Sequence, residues 1–586
     1  MSWKLREYYR KRLAGEQGTV FKDPGGRIRV ALMYPNRYHI GMSNLGFQSV
    51  YGWLNDQDDF VCERAFLPDD DETGLYERSG ASLLTMESQT EVSRYDVLAF
   101  SISFENDYLN VLRLLDLARV PLLSSQRNGP GPLLVAGGIA ISLNPEPLAA
   151  FFDLLGLGDG ERLVPELIEL LRQARSVPHD REPILKQACR LTGWYVPSYY
   201  TEHYREDGTI EGRESREAAP ERVTLARTNL VSAPIPKTAI TTPDTEFSNT
   251  ALLEIGKGCG RGCRFCAAGH LYRPPRSHSE DRLSSMLTDL SESVSRFGLI
   301  CPALGDLPET TLILKHIQHI GAEATTSSLR GDAASDELLT LLRACGQKSV
   351  AIAPEAGSQR LRNVLNKKLS EDEIIAAVAR LTEADLSSIK LYFMVGLPTE
   401  TLDDVHAIHA LLKRIVHALK KFRKKDRGFP RIGASVNCFV PKAQTPFQWE
   451  AMDRVDALKK KLRLIQGQMR STKSVSFSAE VPKWSYIQAF FSLGDRRAGQ
   501  VLAAVHSNEG RWWETFKNVP FNPDFFVYRR REYTETLPWD FIHTGVKKAY
   551  LVSEHSRAMS GKTSPDCIPE TCNRCGLCGN AAVPGV

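Results

Sequence analysis

The run Glu254-Ile-Gly-Lys-Gly-Cys259-Gly-Arg-Gly-Cys263-Arg-Phe-Cys266 sets three cysteines at C-x3-C-x2-C spacing near the middle of the chain. Three cysteines cannot all pair as disulfides, and bridges between positions so close have poor geometry. Three thiolates on a tight loop can instead wrap one face of a [4Fe–4S] cube and leave the fourth iron open to a non-protein ligand. Gly256, Gly258, Gly260 and Gly262 let the backbone turn sharply and bring N–H groups towards the sulfides. A structural zinc site wants a fourth protein ligand, which His270 would supply, so the triplet by itself leaves zinc open.

Outward from the loop, composition sets the bounds. A chain of 586 residues exceeds one core and predicts about three or four domains. With 42% apolar and 25% charged residues it reads as an ordinary globular protein, neither disordered nor membrane-embedded. No apolar run reaches spanning length, and the basic start lacks an apolar signal core. A cytoplasmic protein without a membrane span is therefore expected. A net charge of +4 excludes no partner, and the basic run Lys420-Lys-Phe-Arg-Lys-Lys-Asp-Arg427 reads as a solvated helix end. Seven of the twelve cysteines fall in two clusters, which points to metal binding in a reducing compartment.

The first third alternates apolar strands with amphipathic helices. Ile28-Arg-Val-Ala-Leu-Met-Tyr34, Asp96-Val-Leu-Ala-Phe-Ser-Ile-Ser103, Pro132-Leu-Leu-Val-Ala-Gly-Gly138 and Phe152-Asp-Leu-Leu-Gly-Leu-Gly158 read as strands. Helices are expected near 43–54, 108–118 and 161–172. This predicts a doubly wound, Rossmann-like parallel sheet over residues 1–195, which binds ligands beyond the carboxyl ends of its strands. Those ends carry Ser101, Ser103, Gly137, Gly138, Gly158 and Gly160. A hairpin around Asp207-Gly208 and a linker fill 196–245, and β/α alternation resumes over 246–450.

Residues 451–555 predict a small α+β region with a basic helix over 454–470. Its Trp484, Gly494-Asp-Arg-Arg497, Trp512-Trp513 and Leu537-Pro-Trp-Asp540 read as packing rather than a groove for a nucleic-acid base. The tail, 556–586, contains Cys567, Cys572, Cys575 and Cys578 at C-x4-C-x2-C-x2-C spacing. Four thiolates so close can hold Zn²⁺ or a second iron–sulfur cluster, with a slight lean towards a structural metal.

With Phe265 just before its third cysteine, the triplet resembles the cluster motif of the radical S-adenosylmethionine (SAM) superfamily. The resemblance implies a partial TIM barrel, (β/α)6, whose free iron chelates SAM, with Phe265 near the adenine. It assigns Arg330 to the SAM carboxylate, Ser328 to the cofactor site beside it, and Glu355 to the ribose or amino group of SAM. It also sets Gly396-Leu-Pro-Thr-Glu400 near the adenine, with Gly396 and Glu400 as contacts. No Gly-Gly-Glu follows the first barrel helix, and Gly305 and Asp306 stand in its place.

The N-terminal pattern Ala136-Gly-Gly138, Asn144-Pro-Glu146, Asp153 and Gly158-Asp-Gly-Glu161 resembles a cobalamin-binding domain. The Asp-x-His-x-x-Gly element for a lower cobalt ligand is missing, so His39 is not assigned that role. The whole pattern, from residue 20 to 580, resembles an uncharacterised cobalamin-type radical SAM family.

The implied chemistry is reductive cleavage of SAM to a 5′-deoxyadenosyl radical, which takes hydrogen from an unreactive carbon. An electron donor such as flavodoxin or ferredoxin is implied. With cobalamin, the outcome is methylation of an unknown substrate, be it RNA, protein or small molecule. No side-chain acid or base is required, so none is assigned. A cobalamin-independent radical SAM enzyme (rearrangement, oxidation or sulfur insertion) is the alternative. A non-catalytic metal- and nucleic-acid-binding protein is the reading from another class.

Overall fold

A computed structural model describes residues 2–578 apart from 128, 130, 175–180, 217–218, 327 and 423–429. Most of the basic run that begins at Lys420 lies outside the described residues. Six strands open the chain: β1 (Ile28–Tyr34), β2 (Phe60–Phe66), β3 (Val97–Ser101), β4 (Leu133–Gly137), β5 (Leu154–Gly156) and β6 (Trp194–Tyr195). They form one sheet in the order β2-β1-β3-β4-β5-β6, parallel except for β6. Helices Leu45–Asn55, Tyr108–Leu117 and Gly160–Ala174 connect these strands and cover them. Chain order reverses between β1 and β3, the position at which doubly wound sheets hold ligands.

A hairpin follows, β7 (Tyr200–Tyr204) against β8 (Ile210–Ser215), turning at Asp207-Gly208, and then β9 (Val223–Thr224). The central unit begins with β10 (Ala251–Glu254), the short pair β11 (Gly256–Lys257) and β12 (Arg276–Ser277), then β13 (Arg296–Ile300) and β14 (Glu323–Thr325). It continues with β15 (Ser349–Glu355), β16 (Ser388–Val395), β17 (Arg431–Cys438) and β18 (Val475–Ala479). β10-β13-β14 and β15-β16-β17-β18 are parallel sheets, and a single parallel bridge from Ser328 to Ala351 joins them. The result is an open barrel. It corrects the expected six units: β18 pairs along β17 and carries the barrel past residue 450.

The expected α+β character of 451–555 also changes. Apart from β18, that region is built of helices such as Val455–Met469, Pro482–Ser492, Arg496–Ser507 and Lys548–Met559, with the two-residue β19 (Ile542–His543) beside β9. The helical region locks the first sheet to the barrel. Asn144 Nδ2 donates to Gly494 O (2.7 Å), and buried Glu146 accepts from Arg496 (2.8 Å) and from Tyr195 (2.6 Å). Asn144 and Glu146 therefore serve domain packing. Asp153 likewise takes the Arg127 guanidinium (3.1 Å) and Leu134 N (2.8 Å) within its own domain.

Candidate functional site

β10 and β11 feed the cysteine loop, and the helix Ala267–Leu271 leaves it. Cys266 caps that helix, its Sγ accepting from Gly269 N, while Cys259 Sγ accepts from Arg261 N (both 3.4 Å). Gly258 has φ +77°, and a Cβ there would meet Tyr272 O at 2.4 Å, so only glycine closes the turn. All three cysteines are half-buried and unpaired. Burial, with the neighbouring sulfurs adding, raises the Cys259 thiol and pushes Cys266 up to about 12. Three crowded thiolates of this kind gain most from a bound cation that neutralises them, so the donor set fits an iron–sulfur cluster.

Two residues between the cysteines anchor the loop. Arg264 is fully buried. Its guanidinium pairs with Glu554 (3.1 Å) and donates to Asn363 O (3.1 Å), Val364 O (2.9 Å), Lys562 O (2.8 Å) and Ser564 Oγ (3.2 Å). Arg261 pairs with Asp306 (2.8 Å), Asp332 (3.2 Å) and Asp566 (3.0 Å). Asn366 closes the set, donating to Gly262 O (3.1 Å) and accepting from Ser564 N (2.8 Å). His270, the fourth ligand of the expected zinc alternative, packs beside the loop with Nε2 towards the Cys263 carbonyl. That ring is buried, sits 3.2 Å from Cys263 O, and is held neutral, far below its usual range, by burial and nearby Arg273.

The other expected SAM contacts divide into three groups. Phe265 and Cys266 line a cavity of about 700 Å³, with Phe104, Met394, Asn437, Phe439, Lys442, Glu480 and Gln488 among its walls. Arg330 and Glu355 stand beside the loop. Arg330 Nη1 lies 4.0 Å from Cys263 Sγ and its guanidinium holds Asp332 (3.0 Å) and Lys367 O (3.0 Å); Lys367 Nζ reaches Glu355 at 3.1 Å. Glu355 has φ +68°, an unfavourable conformation for a side-chain-bearing residue at a strand end. Ser328 is exposed at its bridge to Ala351, and Gly305 lies against Ala333, where a Cβ would meet Ala333 O at 2.8 Å.

Asp306 is committed to Arg261. Gly396 (φ +80°) donates its N–H to Glu400 (2.8 Å), which Lys461 also holds (2.6 Å), so this pair forms a locked turn and lines neither cavity described here.

The second cavity, about 310 Å³, gathers Ser101, Ser103, Gly137, Gly138, Gly158 and Gly160 at the carboxyl edge of the first sheet. Register explains it. Ser101 pairs with Gly137 and Gly137 with Gly156, a row of small residues across β3, β4 and β5. Gly138 and Gly158 have φ of +127° and +124°, and a Cβ on either would strike Ile102 O or Ala226 O at 2.2 and 2.1 Å. Gly137 differs: the nearest atom to a Cβ there is Gly156 O at 3.8 Å, an ordinary contact, so a side chain could be accommodated without a clash at Cβ. Leu163, Val164, Leu167, Trp53 and Trp194 wall the slot, and Trp194 Nε1 is buried with no hydrogen-bond partner among the described residues.

The far end of this slot reaches barrel residues Glu254, Lys257 and Tyr272. Burial, aided by Glu161 and Asp159, pushes Glu254 up to about 8 against the pull of Lys257. His39 is exposed between Asp244 and Glu246 (3.2 Å each) and does not line the slot.

In the tail, Cys567 and Cys575 are buried and Cys572 and Cys578 half-buried. Cys567 N donates to Gly260 O at 2.7 Å, so the tail lies directly on the cysteine loop. Among the described residues, no three His, Cys, Asp or Glu side chains stand close enough to share one metal ion, and this holds for loop and tail alike.

The family described as "Radical SAM superfamily" matches residues 253–412, and the one described as "Radical SAM proteins, N-terminal" matches 46–197. The chain belongs to the radical SAM superfamily. It is 27% identical over 477 residues to "Uncharacterized protein MJ0966" of Methanocaldococcus jannaschii, covering 81% of this chain and 90% of that one. Among solved structures it is similar to the radical S-adenosylmethionine methyltransferase TsrM of Kitasatospora setae (13% identity, TM-score 0.46, 70% and 75% of the two chains). It is also similar to the cobalamin-dependent S-adenosylmethionine radical enzyme OxsB (15%, TM-score 0.47, 84% and 69%).

Radical SAM membership implies a [4Fe–4S] cluster and SAM. Sequence reasoning passed over Arg261, Arg264, Asn366 and Lys367. Two arginines inside the cysteine motif were the available signal; the other two are found only through the fold. No helix among the described residues is long and apolar enough to cross a membrane.

Proposed function

We propose that this radical SAM enzyme works with cobalamin to methylate an unreactive carbon. The observation that carries the reading is the slot in the first sheet, where the row Ser101–Gly137–Gly156 leaves room that side chains would fill. A slot of about 310 Å³ with apolar walls and one unpartnered indole N–H suits a flat aromatic base with an acceptor nitrogen. It is too small for a corrin ring, so it fits the nucleotide end of cobalamin. The slot touches β10 and the start of the cysteine loop through Glu254 and Lys257, so an occupant would contact both domains.

When bound, the cluster and SAM supply the 5′-deoxyadenosyl radical, and cobalamin supplies the methyl group. The protein's own part is placement. Cys259, Cys263 and Cys266 hold the cluster, Phe265 presents an aromatic face to the larger cavity, and Arg330 and Glu355 offer a guanidinium and a carboxylate beside it. Phe104, from the first domain, enters the same cavity with Lys442, whose Nζ pairs with Glu105 across the domain boundary (2.5 Å). Ser328, Gly305, Asp306, Gly396 and Glu400 do not line this cavity and are assigned no contact in it.

Incubation with hydroxocobalamin, removal of excess and a corrin spectrum test the reading. Gly137→Leu fills the slot without backbone strain, and should cut retained cobalamin at least tenfold while iron content stays the same. Wild-type protein that retains no corrin leaves the cobalamin-independent radical SAM reading, which the exposed position of His39 favours.

A further inference from the structure

We propose that Cys567, Cys572, Cys575 and Cys578 hold a second [4Fe–4S] cluster, seated against the loop that carries the first. The first cluster is taken from the radical SAM reading above; the second rests on how the tail is placed. Residues 562–567 run along residues 260–264, fastened by Cys567 N to Gly260 O (2.7 Å), Asp566 to Arg261 (3.0 Å) and Lys368, Asn366 to Ser564, and Arg264 to Lys562 O. Gly260 permits this approach, since a Cβ there would stand 2.7 Å from Cys567 O. Backbone geometry then limits the Cys259-to-Cys567 Cα separation to about 10 Å.

A buried cation stands between the two cysteine sets. Arg273 donates to Gly269 O (2.9 Å) and Tyr550 Oη (3.0 Å), one of its Nη atoms would lie 3.1 Å from a Cβ on Gly262, and its charge reaches Cys567 and Cys575. Such a cation suits two anionic metal–thiolate centres placed side by side. The four cysteines fall within twelve residues of one another, from Cys567 to Cys578.

Zinc would draw its sulfurs to about 2.3 Å from a single point. The tail thiols instead lie beside a loop whose own cysteines would hold a cube, with the Arg273 cation shared between the two sets. Four cysteines would close all four irons, in contrast to the triplet with its open one. No position is left for substrate, so the chemistry assigned to this centre is one-electron transfer. A low-potential donor of the ferredoxin or flavodoxin class loses one electron, and the second cluster passes it to the first with no bond made or broken.

The full-length chain, a Cys259→Ala/Cys263→Ala/Cys266→Ala variant and a Cys572→Ser/Cys578→Ser variant are reconstituted anaerobically with iron and sulfide. Iron, sulfide and zinc are then counted, and reduced samples are examined by electron paramagnetic resonance. The expected result is about eight irons in the wild type and about four in each variant. The wild-type signal should be broadened by coupling that both variants lack. A triplet variant with one zinc and no iron, or with no metal, overturns the proposal. Should a variant fail to fold, the wild-type count decides, because about four irons with or without one zinc is a negative result. Failure of the radical SAM assignment would look different: the tail variant would be iron-free while the triplet variant kept its four.

Discussion

Replacing Arg264 with leucine should free the tail from the cysteine loop. The side chain is fully buried, and its loss leaves Glu554 with Ser564 Oγ (2.8 Å) and the more distant Arg574 (4.0 Å) as polar partners. Breaking a buried ion pair by removing one partner costs about 3–5 kcal/mol. The carbonyls of Asn363, Val364 and Lys562 also lose a donor, at about 1–3 kcal/mol for each that water cannot reach. Some of this relaxes as the tail lifts, so about 4 kcal/mol is a working figure for the local opening.

A chain of this size does not unfold in two states, so the opening is best read locally. Thiol labelling of buried Cys567 and Cys575 in the apo-protein should accelerate about a thousandfold, since 1.4 kcal/mol is about a factor of ten. An Arg264→Leu/Glu554→Leu double variant should recover at least about 2 kcal/mol of the loss, because no buried carboxylate is then left alone. Labelling rates within threefold of wild type in the single variant would refute the claim that Arg264 ties loop to tail.

Gly260→Val tests the same junction by steric means. A Cβ 2.7 Å from Cys567 O must push the tail away, so labelling of Cys567 should rise ten- to a hundredfold, for a cost of about 1–3 kcal/mol, with Gly260→Ala intermediate; equal rates in all three proteins would count against the contact. Asp107 predicts a pH effect. Burial first, then Glu105, lift it to about 7 against the hydrogen bond from Asn36, so the folded state holds a proton that the unfolded chain releases near its ordinary value of 3.8. That stabilisation is complete below 3.8 and declines by about 1.4 kcal/mol per pH unit until it is lost as pH passes 7. Asp107→Asn keeps the acceptor for Asn36 and should flatten the profile, raising the melting temperature at pH 8 relative to wild type but not at pH 4. A parallel shift at both values would exclude titration of Asp107 as the cause.

Where a strand was apolar and ended in small residues, it could be read directly. Ile28–Tyr34 begins and ends where its apolar run does, and the strands near Val97, Leu133 and Leu154 differ from expectation only at their ends. The edge strand Phe60–Phe66 was missed because its centre is Cys-Glu-Arg. Those charges are buried among partners supplied from far away: Glu63 takes Thr85, Ser88 and Tyr95, and Arg64 takes Glu16 and Glu87. Val475–Ala479 was missed for a related reason, since Val-Ser-Phe-Ser-Ala is half polar and only its pairing with β17 makes it a strand.

At the site, the cysteine triplet and the small-residue row were legible because spacing and strand register are local. The fate of Asp306 and Glu400 was not, because Arg261 and Lys461 reach them from other parts of the fold, 45 and 61 positions away.

Arg264 binds partners 290 to 300 positions later in the chain. At about 5–20 residues per second of synthesis, the cysteine loop is made roughly 15–60 s before the wall that will hold it. During that interval its thiols are open to metals and oxidants alike. Stable loading of the loop thus belongs after the last helix has formed, and a chain cut short before residue 554 would have an intact cysteine motif without Glu554, Lys562 and Ser564 to close over Arg264.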